Sequence, residues 1–171
     1  NIWLKYLDNI DMINSQTLYK LKEQTSQGSY GSKGNYLSIS YMPDILSHIE
    51  VVKGTDYEGA AYTDYYPCII SENIMDKYGL VVGEVIDFVQ WKDNTGKTPK
   101  LIVTGIFKEN DQTDTYWYIR PNSLENEVFV SESAINDIIS RCDVDTVYYN
   151  HATLIDYTDI SNSNVDDVLY Y

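Results

Sequence analysis

The residues of this chain that most often carry chemistry in proteins are two histidines and two cysteines. His48 and His151 stand far apart, and neither has a cysteine or a second histidine at the spacing of zinc ligands. We therefore predict no metal site at either histidine. Cys68 and Cys142 are too few and too distant for a zinc ribbon or a disulfide-dense scaffold. We expect two free thiols unless the fold brings their Cα atoms within about 7 Å.

A Gly-Lys-Thr run at residues 96–98 is similar to the end of a phosphate-binding loop. The first glycine of that motif would stand at position 91, which is Trp91, and the motif also needs a helix after its threonine. Here Pro99 and a β-rich run follow instead. We predict a hairpin turn at this place, with no nucleotide site and no cofactor.

Serines and acidic residues are numerous, but their spacing favours structural roles over catalytic or metal-binding ones. No Gly-x-Ser-x-Gly nucleophile elbow is present, and Ser71 and Ser131 each precede a helical pattern that a serine can cap. The acidic runs at 111–114 and 143–145 lack the glycine and distant glutamate of a calcium-binding loop. We predict a protein that is not an enzyme and holds no metal.

Seventeen tyrosines are the strongest departure from average composition. Tyrosine offers a large contact area with a polar tip, which suits protein recognition, but consecutive tyrosines in a strand point to opposite faces and one of them can be core. Structural use therefore stays open for each of them. The candidates for a partner-binding surface are Tyr30, Tyr57, Tyr62, Tyr65, Tyr116, Trp117 and Tyr118.

Bulk properties predict a folded, acidic piece of a longer protein. The chain has 171 residues, of which 43% are apolar, and a formal net charge of −14. This charge repels phosphate backbones and anionic lipid, so we expect no nucleic-acid binding; cationic ligands fit better, although an acidic surface also serves solubility alone. No stretch approaches the roughly 20 apolar residues that span a bilayer.

The rest of the chain is organised around residues 67–108. A short buried strand at 68–70 leads to a helix that Ser71 caps and Gly79 ends, since glycine readily adopts the left-handed conformation found there. Residues 85–91 and 101–107 are rich in β-branched and aromatic residues and are predicted as two strands joined by a polar hairpin loop at 92–97.

Four short motifs follow one another in this module: Ile70-Ser71-Glu72, Tyr78-Gly79-Leu80, Val82-Gly83-Glu84 and Val103-Thr104-Gly105-Ile106-Phe107. In this order and spacing they resemble the extracytoplasmic domain of FtsX-like ABC-transporter permeases, the MacB-like periplasmic core domain. Upstream, the segment 49–57 is similar to the apolar-x-Gly-Arg-Asp-Phe segment of that family, with Thr55 in place of Arg and Tyr57 in place of Phe. Downstream, residues 127–133 resemble its next strand–helix junction.

The flanking elements are predicted from periodicity. We expect a helix from Ser15 to about Glu23, a Gly/Ser loop at 26–35, and a half-buried strand at 36–42. Further strands are expected at 49–52, 128–130 and 147–155, with a short helical turn at 43–46 and a helix at 131–141. The segment 2–13 is an entering segment or strand, and Asn164 is predicted to cap a last helix.

We predict an α+β fold with small mixed sheets, helices packed on one side, and two subdomains. The resemblance implies a membrane-proximal subdomain of residues 1–50 and 145–171 and an outer subdomain of residues 51–144. It also implies a non-catalytic extracellular domain that lies at the cell membrane between transmembrane helices. This domain would couple the motion of a separate ATPase subunit to a peptide, lipoprotein or cell-wall partner, and the permease would be a dimer. The contact loops would be 26–35, 54–66 and 108–123. The alternative is a secreted or cell-surface binding module for protein or carbohydrate, which requires a signal peptide and a wall anchor.

Overall fold

A computed structural model describes residues 12–22, 24–28, 35–59 and 64–155. This part of the chain contains two α-helices, α1 (Glu72–Tyr78) and α2 (Glu132–Arg141). Neither helix is long and apolar enough to cross a membrane. Residues 2–11 of the predicted segment 2–13 and the predicted helix at Asn164 lie outside the described residues. The strands are β1 (Met12–Leu21), β2 (Gln24–Gly28), β3 (Asn35–Tyr41), β4 (Ile49–Gly54), β5 (Tyr66–Ser71), β6 (Val85–Asp87), β7 (Lys100–Glu109), β8 (Glu127–Phe129) and β9 (Val147–Ile155).

The strands form one mixed sheet in the order β9-β1-β3-β8-β5-β7-β6-β2, with β4 added on β7 and β2 also paired to β3. The pairs β3–β8 and β5–β7 are parallel, and the other neighbours are antiparallel. The parallel pair β5–β7 arises because α1 carries the chain back across the sheet between them. The predicted α+β class with mixed pairing is confirmed.

The central module has the predicted order of elements. The Ser71 hydroxyl accepts the Ile74 N–H at 3.3 Å, and Gly79, at φ 68°, ends α1 by donating its N–H to the Met75 carbonyl at 2.8 Å. The hairpin between β6 and β7 is also confirmed. Strand β6 is shorter than predicted, because after Asp87 the chain turns to stack Phe88 on Trp91 with ring centroids 5.7 Å apart.

The second strand–helix junction repeats the first. The Ser131 hydroxyl accepts the Ala134 N–H at 3.2 Å and begins α2. Ile135 and Ile138 are buried, whereas Ile139 is 37% exposed. Both serines predicted as helix caps therefore have that role.

Alternation along the strands divides the apolar side chains between two cores. In β5, Cys68 and Ile70 point to one core and Ile69 to the other, and in β8 Val128 and Phe129 divide in the same way. All the buried side chains of α1 and α2 belong to the first, helix-side core, so the prediction that the helices pack on one side is confirmed. The opposite core is closed by the 3-10 helix Ile45–His48 and the segment 110–124.

Three predictions in the first part of the chain are wrong. Residues 15–21 form strand β1 instead of a helix, because β1 pairs along its whole length with β9, and such tertiary pairing outweighs a two-leucine helical spacing. The predicted loop at 26–35 contains part of β2 and the start of β3. Strand β3 is not half-buried, since Ser38 and Ser40 on its second face are as buried as Leu37 and Ile39.

The division into two subdomains stays a prediction. Strand β3 of the expected membrane-proximal part lies between β1 and β8, and its Leu37 and Ile39 share the helix-side core with residues of the expected outer part.

Candidate functional site

The structure separates the aromatic residues predicted as a partner surface. Tyr57, Tyr116 and Trp117 are buried in the opposite core, with exposed fractions of 8%, 5% and 3%. A buried ring presents little area to a partner, and binding at these three residues stays a prediction. Tyr65 is half-buried and Tyr118 is 70% exposed, while Tyr30 and Tyr62 lie outside the described residues. Binding at Tyr65 or Tyr118 remains a prediction.

A cluster around His48 holds the segment that carries Tyr118. The His48 Nδ1 lies 2.6 Å from the Asp114 Oδ2, and its ring stacks on Tyr116 with centroids 3.8 Å apart. The Trp117 indole N–H donates to the His48 carbonyl oxygen at 3.2 Å. From the sequence we considered His48 only as a metal ligand and missed this pair. The two residues are 66 positions apart, and no local pattern connects them.

The electrostatics of this cluster favour a fixed structure. Partial burial raises the pKa of the Asp114 carboxyl, but the hydrogen bonds from the Tyr116 N–H and from His48 outweigh it and leave this pKa below its usual range. Burial raises the pKa values of the Tyr57 and Tyr116 phenols, so both rings stay neutral. The cluster therefore acts as a clamp that positions the residues after Trp117.

Tyr118 stands between two shallow cavities of about 210 and 260 Å³, which we call the Tyr118 cleft. Gln16 lies beneath both cavities, and its buried amide accepts the Ile119 N–H at 2.9 Å and donates to the Ile119 carbonyl at 3.4 Å. Ala152 and Leu154 of β9 form the far wall. An exposed tyrosine beside apolar and amide groups suits side chains of a protein or peptide partner.

A second concave surface, the α2 groove, lies between α2, the start of β5 and the β6–β7 hairpin. Its volume is about 650 Å³, and Tyr65 contributes to its lining. On its floor the Tyr66 hydroxyl donates to the Asp137 Oδ2 at 2.6 Å, and the Arg141 Nε–H donates to the Asp137 Oδ1 at 2.8 Å. Burial and the Asp137 contact raise the pKa of Tyr66 to about 12. The rest of the lining includes positively charged lysines and negatively charged aspartates, so the groove suits a polar ligand.

The cysteines and the metal-ligating residues show no reactive arrangement in the described part of the chain. Both cysteines are free, as expected, and Cys68 is fully buried. Burial raises the pKa of the Cys68 thiol, and burial followed by the charges of Asp93 and Asp137 raises that of Cys142. Both thiols therefore stay protonated near neutral pH. Among the described residues, no three His, Cys, Asp or Glu side chains form a group that could hold a metal ion.

The Gly-Lys-Thr run and His151 also have structural surroundings. Gly96, at φ 81°, lies in the hairpin turn that the Asp93 carboxylate closes by accepting the N–H groups of Thr95 and Lys97 at 2.8 and 2.9 Å. The predicted hairpin turn is confirmed. His151 lies on the exposed face of β9, where its ring nitrogens are 2.9 and 3.1 Å from the hydroxyl groups of Thr17 and Thr153.

Comparison with known proteins gives only weak likenesses to solved structures. No family model and no curated protein matches the chain. Among solved structures, a domain of a predicted permease protein from Porphyromonas gingivalis superposes with a TM-score of 0.41 and 14% sequence identity, over 96% of this chain and 87% of that one. A likeness at this level does not assign a family, so the resemblance to FtsX-like permeases stays a prediction.

Proposed function

We propose that this chain is a non-catalytic extracytoplasmic domain of an ABC-transporter permease of the FtsX-like type, which couples ATPase-driven motion to a partner outside the membrane. The sequence motifs that resemble this family support the proposal, because each has a structural role here. Ser71 caps α1, Gly79 ends it, and Gly105 lets β7 approach the chain after β4. The motifs therefore describe the scaffold of the domain.

The observation that carries the proposal is the pairing of β1 with β9. These strands are antiparallel along their whole length, and Met12 lies opposite Ile155. The first and the last residue of the described part of the chain thus lie side by side. A domain inserted between two transmembrane helices needs this arrangement, because both of its ends must face the same membrane.

The β1–β9 ribbon is also joined firmly to the body of the domain. The Lys20 Nζ donates to the Glu127 Oε1 of β8 at 2.7 Å, in a contact where the side chains are 21% and 7% exposed. The Gln16 amide holds the backbone of Ile119 on the other core. A displacement of the ribbon by membrane helices would therefore move β8 and the segment of Tyr118 with it.

The partner surface in this proposal is the Tyr118 cleft. It lies directly on the ribbon, since Gln16 belongs to β1 and Ala152 to β9. The net charge of −14 favours a partner with cationic character. A peptide, a lipoprotein or a cell-wall enzyme would bind there, while a separate ATPase subunit acts on the membrane segments and the permease works as a dimer.

The experiment that tests the coupling is insertion of a flexible Gly-Ser linker between the ribbon and the membrane segments of the full-length protein. One variant carries a six-residue linker before Met12 and a second one after Ile155. We expect both variants to keep ATPase activity in the purified complex but to lose ATP-dependent transport or partner activation, because a flexible linker absorbs the motion. The matched control carries the same linker between Thr95 and Gly96, in the β6–β7 hairpin, whose strands are separated from the ribbon by at least two other strands in the sheet.

Unchanged transport or activation with linkers at both ends of the ribbon contradicts the coupling role. The parent reading frame gives an independent test. It should encode membrane helices on both sides of the domain and lie near an ATPase gene, whereas a signal peptide with a wall anchor supports the alternative of a free surface module.

A further inference from the structure

Strand β9 is the outer strand of the sheet in the part of the chain that the structure describes. It has nine residues, and among the described strands it pairs with β1 alone. Its side chains are unusually exposed for apolar and aromatic residues, with Val147, Tyr148, Tyr149 and Leu154 between 40% and 58% exposed. No other strand of the described residues covers the far side of β9, and an edge of this length can accept a further strand through the backbone groups on that side.

The residues of β9 lack the charges and the proline that often prevent strand addition, and the one register shift in its pairing with β1 lies at the end of the ribbon, between Met12 and Asn14. Edge strands are commonly protected by lysine, proline, a bulge or an inward-pointing charge. The sequence of β9, Val-Tyr-Tyr-Asn-His-Ala-Thr-Leu-Ile, contains no Asp, Glu, Lys, Arg, Pro or Gly. In a chain of net charge −14, a neutral strand is the place where two identical copies can approach with the least repulsion.

A row of tyrosines crosses the sheet and ends at this edge. Tyr19 of β1 lies directly opposite Tyr41 of β3 on one side and Tyr149 of β9 on the other. The ring centroids are 5.8 Å apart for Tyr19 and Tyr41 and 5.3 Å apart for Tyr19 and Tyr149. Aromatic cross-strand pairs of this kind stabilise adjacent strands. The row stops at Tyr149, which is 58% exposed.

We propose that two copies of this chain associate through antiparallel pairing of their β9 strands, with Tyr149 on the two-fold axis opposite Tyr149 of the second copy. In this register the tyrosine row continues through the interface, and Thr153 of each copy lies opposite Asp145 of the other. The proposal goes beyond the membrane role and does not depend on it. It holds or fails on the isolated 171-residue chain.

Disulfide cross-linking tests the register directly. Strand pairs place opposite Cα atoms about 4.5–5.5 Å apart, which is within disulfide range. In a Cys142→Ser background, a Tyr149→Cys variant should therefore form a covalent dimer under mild oxidation. The matched control is Thr153→Cys on the same strand face, whose counterpart in the second copy would be about 26 Å away, at 3.3 Å per residue. It should not cross-link.

Sedimentation equilibrium tests the energetics without cysteine chemistry. A Tyr149→Lys variant places two like charges opposite each other and removes the aromatic pair, so we expect the dimer dissociation constant to rise about tenfold or more. Thr153→Lys adds the same charge opposite Asp145 and should leave the dimer at least as tight. Near-UV circular dichroism shows that each variant is folded.

Three results overturn the proposal: a monomeric wild-type chain up to millimolar concentration, equal cross-linking of the Tyr149→Cys and Thr153→Cys variants, or equal weakening of the dimer by the two lysine substitutions. The first result excludes association, and the other two show association through a different register or surface. None of them affects the linker experiment, so the two proposals fail separately.

Discussion

The ion pair between Lys20 and Glu127 gives the sharpest test of how the β1–β9 ribbon is attached. At 2.7 Å the direct attraction is about 6 kcal/mol with an effective dielectric constant of about 20. The cost of removing both charges from water offsets most of it. Replacement of Lys20 by methionine keeps the packing but leaves the Glu127 carboxylate, which is 7% exposed, without its cation. Because Lys20 itself is 21% exposed, we expect a loss of about 2–4 kcal/mol in the free energy of unfolding.

A neighbouring pair supplies the matched control. The Lys22 Nζ lies 3.5 Å from the Asp145 Oδ2, and both side chains are more than half exposed, at 53% and 63%. Replacement of Lys22 by methionine should cost less than about 1 kcal/mol. Urea unfolding at neutral pH and moderate salt measures both variants, and a cycle with Glu127→Leu isolates the coupling of the buried pair. Equal, small losses in both lysine variants would refute the argument that the Lys20–Glu127 contact anchors the ribbon.

Three other perturbations test the packing and the titrating groups. A Cβ atom at Gly105 would lie 2.2 Å from the carbonyl oxygen of Thr55. Gly105→Ala should therefore lower the free energy of unfolding by about 2 kcal/mol or more, measured by urea unfolding. An unchanged unfolding midpoint would show that the segments at Gly105 and Thr55 are not this close. Because the folded protein raises the pKa of Tyr66 to about 12, from an ordinary value of 10.0, the unfolded chain loses this proton first; stability from this group is present below pH 10 and is lost as the pH rises from 10 to 12. Thermal unfolding should show a smaller loss over this interval in Tyr66→Phe than in the wild type, and identical pH profiles would contradict the raised pKa of Tyr66. In a thiol-reagent assay of the native protein, Cys142 should react slowly and Cys68 should react only after unfolding, as its burial and raised pKa require; rapid reaction of two thiols in the native state would place Cys68 elsewhere.

Local patterns were sufficient to predict the central module. A serine before an amphipathic run and a glycine after it define a helix through the hydrogen bonds of its own ends, and those bonds are present at Ser71 and Gly79. The same reasoning holds for Ser131 and α2. The β6–β7 hairpin follows from a polar turn between two β-rich runs. These features depend on residues that are neighbours in the chain, so they can be predicted from a single sequence.

Features set by distant contacts were missed. The segment 15–21 has a weak helical spacing of two leucines, but the long pairing with β9 makes it a strand. The contact between His48 and Asp114, and the burial of Tyr116 and Trp117, depend on how the segment after β7 folds over the opposite core. Composition marked Tyr118 as a candidate contact residue, which stays a prediction, and it could not separate this exposed residue from its two buried neighbours.

Accessibility labelling in intact cells tests the extracytoplasmic role most directly. The full-length protein, with Cys142 replaced by serine, carries Tyr118→Cys as an exposed thiol, while the buried Cys68 is an internal control that should stay unlabelled. We expect a membrane-impermeant maleimide to label the Tyr118→Cys variant in intact cells as completely as in lysed cells. Labelling of this variant only after lysis would place the domain on the cytoplasmic side and contradict the account.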